Sequence, residues 1–352
     1  MNKITTYSSA LAIVALTLTA CGGVMDDDHP NTVPEAIRIT TSLNAQTLTR
    51  AAKLDEQATL LSKDNKLGVF VYKTGTTTAT KLGDNQSVSY GYANEEFTVG
   101  ELTASGTKNV LNHVGGSQIP YPADASNIDV YMYAPYVASV SALNAEQTFT
   151  VTADQNTTTA ASDYINNDVL WGEVKNNTFN TDVDCKLSHK FAKVVVNIKF
   201  GPDRQGSYSD LANIISVKLK GVYLTSKLNF ATGAVKDANQ VTTDHKDITF
   251  WLGDKPTAQA TDMKQMALCV LPPQQTMVGT TLEIVYQSDP NDASTQVTYS
   301  YTGSSTEAFT FYSGKVTTFT FSISPDGIQN LSTDITNWDD GTTTLPSTEH
   351  AF

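Results

Sequence analysis

The 352-residue chain carries 36 acidic against 23 basic side chains, a net charge of -13, and 40% of its residues are hydrophobic. That acidic balance opposes attraction to nucleic acid and to anionic lipid, so it argues against a nucleic-acid partner. The length accommodates about two ordinary domains, and the Thr, Ser, Asn, Val and Tyr of its middle, with few helix-period Leu/Glu/Lys/Ala runs, favour a mostly β chain.

Lys3 is followed by an apolar run from Ala10 to Leu18 and then by Leu18-Thr19-Ala20-Cys21. This order of charge, apolar run and small residues is that of a secretory signal. With Cys after the cut it resembles a bacterial lipobox, and the resemblance implies removal of residues 1–20 and acylation of Cys21. A membrane span needs about 20 apolar residues, and this run is shorter. Met25-Asp26-Asp27-Asp28 has two readings: a signal sending the lipoprotein to the outer face of the outer membrane, or a solvated linker. Asp28 to Pro34, with two prolines and no periodicity, is expected to be a tether.

From Ala36 to Ala51, Ile37, Ile39, Thr41 and Leu43 alternate with Arg38, Thr40, Ser42 and Asn44. Period two with one apolar face predicts a half-buried strand. Arginine occurs only at positions 38, 50 and 204. Arg50 is thus either an ordinary exposed arginine after a first strand or the place where an arginine-directed protease cuts before Ala51.

Lys66 to Tyr72 is dense in β-branched and aromatic residues and predicts a buried strand; Ile119 to Asn127 reads as a loop and Ile128 to Tyr136 as the strand after it. These runs, with ITTS and TLTRA before them, resemble the fimbrillin family, the type V pilins of certain bacteria. Asp163 to Gly172, with Trp171, is similar to the end of that family's first domain, although a packed aromatic beside a turn explains it equally. After a polar stretch around residue 183, strand patterns recur at 187–200, 215–223, 228–233, 266–273, 282–286 and 316–323. The sequence supports two mostly antiparallel β-domains. The resemblance implies two tandem β-sandwiches of transthyretin-like topology: signal peptide 1–20, lipidated leader with a removable first strand 21–50, N-terminal domain 51–183, and C-terminal domain 184–352.

No chemistry is expected from the remaining candidates. His189 has no second histidine or suitably spaced Cys or carboxylate nearby and reads as structural. Cys185 and Cys269 sit on apolar positions, as small buried residues that an oxidising compartment could also join. Neither forms a CxxC pair. GxSxG, P-loop and HExxH patterns are missing, so the chain is expected not to be an enzyme. Asp289-Pro290-Asn291-Asp292 starts like a calcium loop, but Ala293 replaces a ligand and a turn is the simpler reading. No metal or cofactor is expected. Trp171, Trp251 and Trp338 are scattered, although folding could gather them.

Ile328 to Leu331 and Asp334 to Trp338 resemble the closing strands of fimbrillins. Beyond them, Asp339-Asp340-Gly341 marks a turn, and the last residues, with Thr344, Leu345, Ala351 and Phe352 as candidate contacts, read either as a donor strand or as a frayed tail. The family resemblance implies a mechanism. A lipoprotein precursor at the outer membrane carries a first strand (Ile37, Ile39, Thr41, Leu43) that cutting after Arg50 removes, and a neighbour's strand then fills the groove by β-augmentation. Partners would be copies of the chain, other pilin subunits, the protease and a host or bacterial adhesion ligand. The tail favours a stalk subunit of the surface fimbria. Tip or anchor pilin, a glycan-binding lipoprotein that stays anchored, and a β-sandwich hydrolase are the alternatives.

Overall fold

The computed structural model describes residues 36–43, 61, 64–77, 90–116, 118–156, 167–200, 213–252, 262–289, 291–324 and 327–338. These contain twenty β-strands, two single-turn 3-10 segments and no α-helix. All fall within one unit, Pro34–Phe352. The all-β class expected from composition is the class observed.

Seven strands form a closed ring, in the order β1 (Ile39–Leu43), β4 (Asn109–His113), β3 (Gly91–Leu102), β2 (Lys66–Lys73), β5 (Ile128–Ala134), β7 (Leu170–Asn177) and β8 (Val183–His189), with β8 returning to β1. Inside the ring, Leu67, Val69, Val71, Val130, Met132, Phe97 and Val99 form one core with Val183, Cys185 and Leu187. The strand predicted at Lys66 to Tyr72 is buried on both faces. Leu67, Val69 and Val71 belong to the ring interior, while Phe70 and Tyr72 join a second core outside it. Gly68 is required here because the Tyr133 ring crosses it: an added Cβ would lie 2.0 Å from Tyr133 Cε1. The Tyr133 hydroxyl donates to Asn94 Oδ1 at 2.6 Å.

The rest of the chain builds a five-stranded sheet, β13 (Trp251–Leu252), β14 (Asp262–Leu271), β9 (Ala192–Phe200), β19 (Lys315–Ser324) and β20 (Gly327–Asn337), and a four-stranded sheet, β12 (Lys246–Thr249), β10 (Ile214–Val222), β16 (Thr281–Gln287) and β17 (Gln296–Thr302). Their apolar faces share one core, in which Val194, Val196, Phe319 and Phe321 meet Val217, Leu219, Leu282 and Ile284. The outer face of the ring is part of it: Phe230 packs against Phe70 at 5.6 Å and Tyr133 at 4.2 Å between ring centroids. Trp171 donates from Nε1 to the Phe230 carbonyl at 2.8 Å and lies against Gly233, which has no room for a Cβ. The strand that follows residue 183 pairs back into the ring. In addition β6 (Glu146–Thr150) pairs with β11 (Thr225–Asn229), so early and late parts of the chain are interleaved.

Burial pushes the Tyr72 phenol up to about 12, with Tyr131 adding a smaller push, and raises Tyr133 as well. In the unfolded chain these phenols ionise near 10. The unfolded state therefore loses protons first, and stability that is intact below about pH 10 is lost as pH rises toward 12. The melting temperature should be level from pH 7 to 9 and fall steeply above 10. A melting temperature unchanged at pH 11.5 would contradict this burial.

Candidate functional site

The feature on which ring closure depends is β1, the strand predicted from the alternation at Ile37 to Leu43. It has a partner on both edges. Antiparallel to β4, Thr40 faces Val110 and Thr41 faces Asn109. Parallel to β8, the register runs from Ile39 opposite Val183 to Leu43 opposite Leu187. At the strand's start the Ile37 amide donates to the Ile119 carbonyl at 2.7 Å, and the Val183 amide donates to the Arg38 carbonyl at 2.8 Å. No pairing joins β4 to β8 among the described strands, so β1 is the seam.

The side chains follow the strand's period. Ile37, Ile39 and Leu43 are buried in the ring interior with Leu111, Val183 and Leu187. Thr41 is fully buried and donates from Oγ1 to the Cys185 carbonyl at 2.8 Å. On the outer face Arg38 is exposed and Thr40 half-buried. Ser42 departs from the half-buried expectation, being only 9% exposed. An ion pair crosses above the seam: Lys108, just before β4, reaches Asp184 on β8 at 2.6 Å. Both side chains are more than a third exposed, so water and salt screen the pair to well under about 1 kcal/mol.

The chain returns to the body at Leu61, whose amide donates to Asn109 Oδ1 at 3.0 Å and whose carbonyl accepts from Asn109 Nδ2 at 3.3 Å. Both polar ends of a buried asparagine are thereby satisfied, and Leu61 is held beside the seam by the β4 residue that pairs with Thr41. Arg50 and Ala51 lie between Leu43 and Leu61 in sequence and fall outside the described residues, as do Cys21 and the tail residues Thr344, Leu345, Ala351 and Phe352.

Of the remaining expectations, His189 is buried, pairs with Asp168 at 2.5 Å from Nδ1, and stacks on Trp338 with ring centroids 3.9 Å apart and planes 2° from parallel. Cys185 and Cys269 are both free and buried. Burial pushes the Cys185 thiol up to about 12 and raises Cys269 too. Asp289 and Asp292 accept from the amides of Asn291 and Ser294, both at 2.9 Å, which makes their segment a turn. Trp171 and Trp251 are core residues and present no open stacking face. Among the described residues no group of three His, Cys, Asp or Glu could hold a metal ion. Sequence reasoning missed the Lys108–Asp184 bridge, the Asn109–Leu61 anchor and the docking of Trp338 on His189. Each joins positions far apart in the chain, and no local pattern marks them.

This arrangement of sheets recurs in solved structures. A candidate cell adhesion protein from Bacteroides ovatus superposes with a TM-score of 0.60 at 17% identity, over 87% of this chain and 98% of that one. Another from Bacteroides uniformis gives 0.57 at 16% identity, over 86% and 98%. No curated protein matches in sequence. The profile of the fimbrillin-like family matches residues 49–338. The chain belongs to the fimbrillin-like family, and with it to the subunits of cell-surface fimbriae.

The three apolar side chains of residues 37–43 represent about 5–9 kcal/mol of burial. Ile39→Ala or Leu43→Ala should each lower unfolding free energy by about 2–5 kcal/mol and speed labelling of Cys185 by a thiol reagent at pH 8. Denaturant titration and labelling kinetics on the uncut chain would check both; unaltered labelling would mean that β1 does not cover Cys185.

Proposed function

We infer that this chain is a non-catalytic fimbrial subunit that is exported as a lipoprotein acylated on Cys21 and activated by cutting after Arg50. The cut separates residues 21–50 from the body, removing lipid anchor and β1 together. The facing edges of β4 and β8 are then open, with the pockets of Ile37, Ile39 and Leu43 between them. An extended segment of another subunit fills this slot, its backbone replacing both ladders and its alternate side chains setting the register. Because donor and slot are different parts of the surface, the contact is heterologous and propagates as an open filament.

The observation that carries this reading is the isolation of β1. It is the ring's seam, yet the larger core, built by the outer face of the ring and the later sheets, contains none of its residues. The segment beyond the cut is tied to β4 by the hydrogen bonds between Asn109 and Leu61. Losing β1 therefore opens one slot and leaves the main core intact. While β1 is in place the slot is occupied, which prevents assembly before export. Partners in this reading are other pilin subunits, an arginine-directed protease, the outer membrane before cutting, and an adhesion ligand.

N-terminal sequencing and mass of protein sheared from cells, wild type against Arg50→Ala, test it. The expected wild-type product starts at Ala51 and runs as high-molecular-mass polymers that heat dissociates; the variant stays monomeric with acylated Cys21. A wild-type surface protein that keeps Cys21, is monomeric and is indifferent to the substitution would overturn the cleavage mechanism.

A further inference from the structure

β8 is held unequally along its length. Each of its first five residues pairs with β1, from Val183 opposite Ile39 to Leu187 opposite Leu43. On its other edge β7 pairs only with the last two, Trp171 with Ser188 and Leu170 with His189. Beyond them Gly172 of β7 lies against the Lys186 carbonyl, which an added Cβ would approach to 2.2 Å, so the two backbones meet there out of ladder register. Among the described strands, then, the ladder along residues 183–187 is the one made with β1. The trailing end is fixed by other means. His189 is buried against Asp168 and Trp338, and the next amide, of Lys190, donates to the Val169 carbonyl at 2.7 Å.

The same half of β8 is tied to a short strap at the start of the seam. Residues 119–121, between β4 and β5, bury Ile119 and Tyr121 in the ring interior. The strap's backbone meets the seam strand: the Ile119 carbonyl accepts from the Ile37 amide at 2.7 Å, and Pro120 forms an isolated antiparallel bridge with Ala36. The Tyr90 hydroxyl, just before β3, adds one bond to the Pro120 carbonyl at 2.7 Å. Tyr121 reaches the turn that leads into β8. Its hydroxyl donates to the Thr181 carbonyl and accepts from Asn177 Nδ2 at 3.1 Å, and its ring packs edge-on against Phe179 with centroids 5.3 Å apart. Seam strand, strap and the first half of β8 therefore hold one another.

Segments whose backbone bonds run chiefly to each other open together, at a lower free energy than a fully paired core. We propose that β1, the strap 119–121 and residues 178–187 form one locally opening flap, with His189 as its hinge and Tyr121 as its latch. Opening takes Val183, Cys185 and Leu187 out of the ring interior together with Ile39 and Leu43, while Phe70, Tyr133, Phe230 and the later sheets stay packed in the other core. A strand at the seam thus leaves or enters sideways, through a gap that β8 itself widens, rather than by sliding lengthwise between two fixed rails. The flap is a property of the uncut chain, so it stands or falls separately from cutting after Arg50.

Hydrogen exchange read by mass spectrometry on the full-length, uncut protein tests this. Peptides covering 36–43, 118–122 and 178–187 should share one rate, faster than that of peptides covering β2, β5 and β16. Tyr121→Phe removes the bond to Thr181 and keeps the ring on Phe179; it should speed all three segments together by about fivefold, the worth of one hydrogen bond, and leave β16 unchanged. Tyr90→Phe, which frees the Pro120 carbonyl, should act on the same three. Tyr301→Phe, which loses a bond to Glu307 in the later part of the chain, should leave them as they were. A 178–187 segment as slow as β5 beside a fast 36–43 would overturn the flap and make β8 a fixed rail. Three unrelated rates would overturn it as well, as would a Tyr121→Phe effect confined to 118–122 or spread evenly over the whole chain.

Discussion

Closure of the N-terminal ring depends on one five-residue strand held by hydrogen bonds on both edges. A backbone amide or carbonyl left unpaired in a sheet needs water or a new strand. β1 supplies the pairing for β4 and β8 at once, and its Ile39 and Leu43, with Ile37 just before it, seal the interior against solvent. In the proposed strand exchange the same property makes the site usable: a strand that satisfies two edges would leave two edges demanding a replacement.

The rest of the fold is arranged so that this demand stays local. The ring's outer aromatics, Phe70, Tyr72, Tyr133 and Trp171, are buried against Phe149, Phe230 and the later sheets. Gln155 bonds both the amide and the carbonyl of Val270 from its buried side chain. Early and late segments are therefore tied by pairing, packing and buried polar contacts that do not pass through β1. The covered thiol of Cys185 follows from the same geometry. It lies under the seam in register with Thr41, and burial raises its pKa.

Two features that the sequence left open were decided by the structure. The open possibility of a disulfide gave way to two free cysteines in separate cores: Cys185 inside the ring, and Cys269 between the later sheets. Apolar parity shows that a cysteine is buried but not which core receives it. The scattered tryptophans likewise went to different tasks, with Trp171 packing on Gly233 and Trp338 docking on His189.

The sequence by itself determined what depends on short range. Period-two alternation marked β1 and its inward residues and also β5, and a dense β-branched and aromatic run marked β2. Only the tertiary structure decided that β1 runs parallel to a strand more than a hundred residues later, that Asn109 ties down Leu61, and that Trp338 leaves the body beside His189. Strand alternation fixes which face is buried because it is a property of neighbouring residues. Which edge a strand joins depends on the whole sheet's closure, and closure brings together residues with no local signature in common.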